Sequence, residues 1–312
     1  MTRPVAGGRL PVYAPAMEPR ARVTPVAPEN EEATEAWSGV LFDRFVEFRE
    51  LVVGGLSAFG EVAMRLYPPP DGCRVLDIGC GFGDATQQLA HLVGPRGEAV
   101  GVDVSEPFVE AASAEAEAAR VGNAAFLAGD VQVMELPGRF DYVFSRMGVM
   151  FFANPVAALR NVRGAMNPGA RLCCVVWRRK LDNGWLQRAE QVVDRYLTEP
   201  EESEEPTCGP GPFSMANADA VSDQLLLAGF TEPAFTRCDL PIKLGEDLDE
   251  AVAFNMALGP AAELIRLAAS DAAKIRPQLE REIAEALADF QGDGGIRGPA
   301  STWIIGARAP GG

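Results

Sequence analysis

Two periodicities of apolar residues alternate along the chain and define its predicted elements. Short continuous apolar runs are typical of buried strands, whereas apolar residues that recur every three or four positions are typical of helices. The first pattern predicts strands at 73–78, 98–104, 124–128, 140–145, 171–177, 233–240 and 301–309. The second predicts helices at 31–66, 85–93, 105–121, 155–166, 185–197, 218–228 and 248–291, with breaks in the last at 259–260 and near Pro277. Because strands and helices alternate, we predict an α/β fold with a doubly wound, mostly parallel seven-stranded sheet.

Several stretches fall outside this alternation. Residues 1–30 contain six prolines and no periodic pattern, which predicts a disordered arm. Residues 31–70 form a predicted N-terminal helical cap, which ends in a run of three prolines. The predicted sheet domain occupies 71–312 and carries lid insertions at about 178–212 and 245–297. If the sixth strand is parallel to the first five, both insertions leave from the carboxyl edge of the sheet.

Charge, cysteine content and histidine content narrow the classes of function. A net charge of −16 argues against nucleic acid or an anionic membrane surface as partner, since both attract basic patches. No apolar run approaches the ~20 residues of a membrane span, so we expect no membrane insertion. Six cysteines without a C-x-x-C pair argue against structural zinc and disulfides and favour a cytoplasmic location. The single histidine, His91, falls on a polar helix face, so we expect neither histidine catalysis nor a metal site.

A glycine-rich turn follows the first predicted strand. Glycines stand at 79, 81 and 83, directly before a helical pattern. Glycine adopts positive φ without strain and lets the backbone approach a ligand closely, while the N–H groups of a helix start face a polar ligand. The spacing differs from the G-x-G-x-x-G of dinucleotide sites. Asp77, two residues before the first glycine, would repel a phosphate but suits an ammonium or sulfonium group.

Polar side chains also follow the next three predicted strands. In an open parallel sheet the ligand lies at the carboxyl ends of the strands. Asp103 is placed to accept the two hydroxyls of a ribose, and Asp130 to accept an adenine amino proton, with the Val131 N–H facing the ring. The fourth strand ends in Ser145 and Arg146. The Arg146 cation is a candidate to hold an acceptor's negative charge, a cofactor carboxylate or a structural ion pair.

These features together resemble a known enzyme family. The chain resembles the class I S-adenosylmethionine-dependent methyltransferases. Their first motif is represented here by Leu76-Asp77-Ile78-Gly79-Cys80-Gly81-Phe82-Gly83. The resemblance covers about 70–177 and implies a Rossmann-like methyltransferase fold with S-adenosylmethionine as cofactor. It implies cofactor contacts at Asp77, Gly79, Cys80, Gly81, Asp103, Val104, Asp130, Val131 and Ser145. A looser resemblance, at 145–152, 167–169, 211–213 and 227–230, is to the branch with ubiquinone/menaquinone-biosynthesis C-methyltransferases and other small-molecule methyltransferases.

Apolar and aromatic residues predict the acceptor side of the site. The candidates that the insertions and strand ends bring to one pocket are Arg146, Met147, Met150, Phe151, Trp177 and Trp185. We therefore expect a small, largely apolar acceptor, aromatic or quinone-like, with a carboxylate or tyrosine as any general base. A homodimer is compatible with the sequence. The alternatives are a nicotinamide-dependent oxidoreductase and a cofactor-binding protein without methyl transfer.

Overall fold

The computed structural model describes residues 25–198 and 207–311. Residues 1–24 of the predicted arm and the acidic stretch 199–206 of the first insertion lie outside the described residues. The described strands form one eight-stranded sheet. They are β1 (Arg74–Ile78), β2 (Glu98–Asp103), β3 (Ala124–Ala128), β4 (Phe140–Arg146), β5 (Met166–Trp177), β6 (Thr231–Gly245), β7 (Gln291–Gly292) and β8 (Gly295–Arg308).

The sheet has the strand order β3-β2-β1-β4-β5-β8-β6, and the two-residue strand β7 pairs with β8. Strands β1 to β5 are parallel. Strand β8 is antiparallel to both β5 and β6, so β6 runs in the same direction as β5. This confirms the predicted doubly wound, mostly parallel sheet, with β7 as an added short strand. It also places the chain that leaves β6 at the carboxyl edge, as the lid prediction requires.

Helices cover both faces of the sheet. They are α1 (Glu31–Ser38), α2 (Val40–Glu47), α3 (Arg49–Leu66), α4 (Asp84–Val93), α5 (Glu106–Ala118), α6 (Pro155–Gly164), α7 (Gly184–Val193), α8 (Ala218–Leu227), α9 (Leu248–Ala257), α10 (Pro260–Leu267) and α11 (Ala269–Leu287). Helix α4 packs on β1 and β2, α5 on β2 and β3, and α3 on β5 and β6. Strand β1 is accordingly buried on both faces, at Val75, Leu76 and Ile78, which explains its continuous apolar pattern.

The helices α7, α9, α10 and α11 pack on one another and form a helical cluster, which we call the helical lid after the predicted insertions. The predicted break at 259–260 is confirmed, but the break near Pro277 is wrong. Helix α11 continues through Pro277, and the chain turns instead before Ala269, whose φ is 33°. Pro277 and the Ala273 residue one turn before it are exposed, so water can replace the backbone hydrogen bond that proline removes.

The end of the predicted disordered arm is ordered. Pro28–Asn30 forms a short 3-10 helix, and Ala27 and Asn30 are buried. We call residues 25–30 the N-terminal segment. Composition did not reveal this order because the segment is held by hydrogen bonds to residues about 100 positions away. Within residues 25–198 and 207–311, no helix has the length and apolar character needed to cross a bilayer.

Candidate active site

The chain makes a tight turn at 79–83, directly after β1. Gly79 and Gly81 have φ of 67° and 53°, in the left-handed region that favours glycine. A Cβ on Gly79 would lie 2.7 Å from the Cα of Gly148, which follows β4, so the two backbones pack too closely for a side chain. A Cβ on Gly81 would meet no atom within 4 Å. The glycine turn is therefore fixed against β4 at Gly79 and open at Gly81.

A cavity of about 1020 Å³ lies in front of this turn. The ends of β1 to β4, residues of α1 to α3 and the helical lid all contribute to its wall. It brings together most of the residues that the sequence predicted, from both the cofactor side and the acceptor side. Those on the wall are Gly79, Cys80, Gly81, Asp103, Val104, Asp130, Val131, Arg146, Met147, Met150, Phe151, Trp177 and Trp185. Asp77 and Ser145 are not among the described residues of the wall.

Asp103 connects the end of β2 to the glycine turn. Its two carboxylate oxygens accept the backbone N–H groups of Gly81 at 2.9 Å and Ser105 at 3.0 Å. Burial raises the pKa of Asp103, while these backbone hydrogen bonds act in the opposite direction. A carboxylate has about four acceptor positions, so lone pairs remain on both oxygens for a ligand in the cavity.

Asp77 lies behind the turn rather than on the cavity wall. It is buried, and it accepts a hydrogen bond of 2.6 Å from the Thr86 hydroxyl on α4. Burial raises the pKa of Asp77 from 3.8 to about 7, although the Thr86 hydrogen bond and the Arg146 charge lower it. The side chain joins β1 to α4 beneath the turn, and a direct contact between this carboxylate and a ligand stays a prediction.

We expect Asp77→Asn to change how the free energy of unfolding depends on pH. Because the folded-state pKa is raised, the stabilising contribution of Asp77 is complete below about pH 4 and is lost as pH rises through 7. Asparagine does not titrate and can still accept the Thr86 hydrogen bond. The stability of the variant relative to wild type should therefore rise by at least about 1 kcal/mol between pH 5.5 and 8, measured by urea unfolding. A difference that stays constant over this range would contradict the buried carboxylate.

Ser145 also lies beside the glycine turn and is not among the described residues of the cavity wall. Its side chain is fully buried at the end of β4 and donates to the carbonyl of Ile78 at 2.8 Å. It also accepts the N–H of Val149 at 3.3 Å. The first hydrogen bond ties β4 to the end of β1, and the second holds the turn that follows β4. The predicted cofactor contact of Ser145 stays a prediction.

Asp130 lies on the cavity wall but is largely engaged by the N-terminal segment. One oxygen accepts the Ala27 N–H at 3.0 Å and the Asn30 amide at 2.8 Å, and the other accepts the Gln132 N–H at 2.8 Å. Gln132 in turn donates to Glu29 at 2.6 Å. Sequence reasoning missed Asn30 and Gln132, because each is a single amide residue in its stretch of sequence and their partners lie about 100 positions away. The carboxylate predicted to face adenine thus anchors the N-terminal segment at that end of the cavity.

Aromatic side chains form the opposite part of the cavity. Trp185 of α7 and Phe254 of α9 stack at 5.9 Å with an interplanar angle of 14°. Trp37 of α1 contacts Phe151 edge-on at 4.8 Å. Met147 has a φ of 63° immediately after β4, an uncommon conformation for a residue with a side chain. Strained residues of this kind cluster at functional sites.

Ion pairs also lie on the cavity wall, and sequence reasoning missed most of them. On the lid side, Lys180 pairs with Glu190 at 2.6 Å, and Arg266 pairs with Glu263 at 2.9 Å. Beside the glycine turn, Arg146 pairs with Asp84 at 2.8 Å. Two of these pairs join charges from separate elements and form only when the chain folds, so the sequence gave no signal for them. The third, Glu263 with Arg266, has the spacing of an ordinary helical ion pair.

The glycine-turn end of the cavity fits S-adenosylmethionine. The open position beside Gly81 leaves room for a ligand against the backbone, and Asp103 retains acceptor positions for ribose hydroxyls. Val104 and Val131 add apolar wall on the same side, suited to the face of a purine. When bound, this cofactor supplies a methyl group on a sulfonium.

Comparisons with known proteins agree with this geometry. A family model described as "Methyltransferase domain" matches residues 69–201. A nocamycin O-methyltransferase from Saccharothrix syringae is 32% identical over 218 residues, which cover 65% of this chain and 76% of that protein. A demethylmenaquinone methyltransferase from Lactococcus lactis is 32% identical over 105 residues, covering 33% of this chain and 42% of that protein. The chain thus spans less than half the length of that second relative.

Solved structures show the same fold at low sequence identity. The YcgJ protein from Bacillus subtilis has a TM-score of 0.52 and 18% identity, over 83% of this chain and 99% of that one. Phosphoethanolamine N-methyltransferase 2 from Haemonchus contortus has a TM-score of 0.53 and 15% identity, over 92% and 61% of the two chains. The matched domain, the curated relatives and the site geometry agree, and the chain belongs to the class I S-adenosylmethionine-dependent methyltransferases.

Proposed function

We propose that this methyltransferase acts on a small, largely apolar acceptor of aromatic or quinone-like character. The observation that carries the proposal is the continuity of one cavity, from the glycine turn to the aromatic side chains of the helical lid. Pockets for a single drug-sized ligand occupy about 300–1,000 Å³. At about 1020 Å³, this cavity lies at the upper end of that range, as expected for a site that holds a cofactor and a compact acceptor together. The names of two relatives, which refer to nocamycin and demethylmenaquinone, support the same class.

The chain's own residues would contribute alignment and exclusion of water. The stacked rings of Trp185 and Phe254 offer a flat apolar surface for an aromatic acceptor. Transfer to a nucleophile held in line with the donor needs orientation more than acid–base chemistry. Glu190 and Glu263 are the carboxylates of the described lid that line the cavity, and each is held by a cation. We propose them as the candidates for a general base where the acceptor needs one.

We further propose a cytoplasmic location. The six cysteines are all unpaired, which supports a reducing compartment. Burial raises the pKa of Cys73 to about 11 and that of Cys208 to about 12, so both remain thiols at neutral pH.

The test is a screen with labelled S-adenosylmethionine against phenols, quinols and hydroxy acids, read by mass spectrometry. We expect label in an aromatic or quinol product, with turnover that depends on both substrates. Demethylated cofactor without a methylated product would contradict productive transfer. A thermal shift with NAD(P) and none with S-adenosylmethionine would favour the oxidoreductase alternative.

A further inference from the structure

Arg146 and Asp84 form an ion pair between the end of β4 and the end of the glycine turn. Arg146 is the last residue of β4, and Asp84 is the first residue of α4, directly after Gly83. The Arg146 Nη2 lies 3.0 Å from Asp84 Oδ1 and 2.8 Å from Asp84 Oδ2. Both residues lie on the cavity wall, with side chains 10% and 25% exposed. One positive and one negative group are therefore presented side by side to a ligand.

The hydrogen-bonding capacity of Arg146 is not used up by this pair. A guanidinium has five N–H donors, and the Nε–H of Arg146 is buried without a partner among the described residues. A buried charge with unsatisfied donors is costly unless a further partner completes it. A second strand-end arginine, Arg178, makes a useful contrast. Its side chain is also 10% exposed, and its Nε–H is likewise buried without a described partner, but its guanidinium donates to Ser301 and stacks on Trp303, and it is not among the described cavity residues.

The strand order places this pair at one end of the cofactor site. Along β3-β2-β1-β4, the successive strand ends carry Asp130, Asp103, the glycine turn and Arg146. Strands are about 4.8 Å apart, so these three steps span about 14 Å. The side chains suited to a nucleoside lie at β2 and β3. The far end of a ligand that crosses the glycine turn must then lie at β4, beside Arg146 and Asp84.

We propose that Arg146 and Asp84 bind the zwitterionic amino-acid end of S-adenosylmethionine. The Arg146 guanidinium donates to the α-carboxylate, and the Asp84 carboxylate accepts from the α-ammonium. When the ligand binds, the Arg146–Asp84 pair is replaced by two pairs, Arg146 with the α-carboxylate and Asp84 with the α-ammonium. Both side chains therefore keep a partner of opposite charge. Of the three roles that the sequence left open for Arg146, this one uses both the ion pair and the position of its two residues on the cavity wall. The assignment rests on the proposed function only in requiring S-adenosylmethionine as the cofactor, and it does not depend on the acceptor.

Two ligands separate this role from a structural one. S-adenosylhomocysteine carries the amino-acid end, whereas 5′-methylthioadenosine contains the same nucleoside and sulfur without it. In calorimetric titrations of the full chain, Arg146→Met should weaken S-adenosylhomocysteine by about tenfold or more and leave methylthioadenosine within about twofold. Asp84→Asn should give the same selective loss. Arg178→Met, the matched control, should change neither affinity.

Other outcomes overturn the proposal. Equal losses for both ligands would mean that the pair only supports the turn, and unchanged affinities would mean that the amino-acid end binds elsewhere. If Arg146→Met fails to fold, Asp84→Asn decides by the same selectivity. Wild-type protein that binds neither ligand would refute the cofactor assignment and this proposal with it. A negative acceptor screen combined with selective binding losses would contradict only the proposed acceptor.

Discussion

Replacing Gly81 with valine should abolish cofactor binding. Gly81 has a φ of 53°, and the position of its missing side chain is open and faces the cavity. A branched side chain there would occupy the space of the ligand and prevent its approach to the backbone. We expect a loss of affinity for S-adenosylhomocysteine of more than about 100-fold, measured by calorimetry. Gly81→Ala should give a smaller loss.

Gly169→Val is the matched control for this variant. Gly169 has a φ of 75°, its Cβ position is also free of atoms within 4 Å, and it is not among the described cavity residues. A β-branched residue with positive φ is strained at both sites, so both variants should lose folding stability. Only Gly81→Val should lose the ligand. If the two variants bind with similar affinity, the ligand does not lie against the glycine turn.

Replacing Asp103 with alanine should weaken cofactor binding by roughly 2–3 kcal/mol, or about 30- to 150-fold. Two effects add. The variant loses the carboxylate that is placed to accept ribose hydroxyls, and it also frees the Gly81 and Ser105 N–H groups that this carboxylate holds. The glycine turn is then less well organised before the ligand arrives. Asp103→Asn keeps an oxygen acceptor and should lose less. Calorimetric affinities for S-adenosylhomocysteine provide the measurement.

Asp141→Ala controls for the loss of a structural carboxylate. Asp141 accepts the Arg74 N–H at 3.0 Å and the Asn167 amide at 2.7 Å, at the amino edge of the sheet, opposite the cavity. It should lower the unfolding midpoint without changing cofactor affinity. Similar losses of affinity in both variants would mean that Asp103 acts through fold stability alone.

The helices and strands that position the cofactor site could be predicted because their signals are local. A buried strand, a turn glycine and an acid at a strand end can each be recognised from a few consecutive residues. The ends of β1, β2 and β3 were therefore predicted to within one residue. Strand β5 begins at Met166, five residues earlier than expected, because its first part is an irregular extension that pairs with β4 only at Phe140.

Partners that come from distant parts of the chain were beyond prediction. The acids at 77 and 130 look alike in sequence, since each stands at a strand end next to a turn. Their environments differ because Thr86 covers Asp77 from α4, whereas Ala27 and Asn30 reach Asp130 from the N-terminal segment. Lys180 and Glu190 likewise gave no signal until the fold brought the 3-10 helix at Lys180–Asp182 and helix α7 together at the cavity wall.

The sequence by itself determined the alternating α/β architecture, the glycine turn and the edge of the sheet where a ligand lies. These depend on local backbone preference and on the periodic burial of apolar residues. Only the tertiary structure decided which carboxylates face the cavity, which are buried behind it, and which cation pairs with Asp84. Side-chain exposure and hydrogen-bond partners depend on the packing of segments far apart in the chain, and no local pattern encodes that packing.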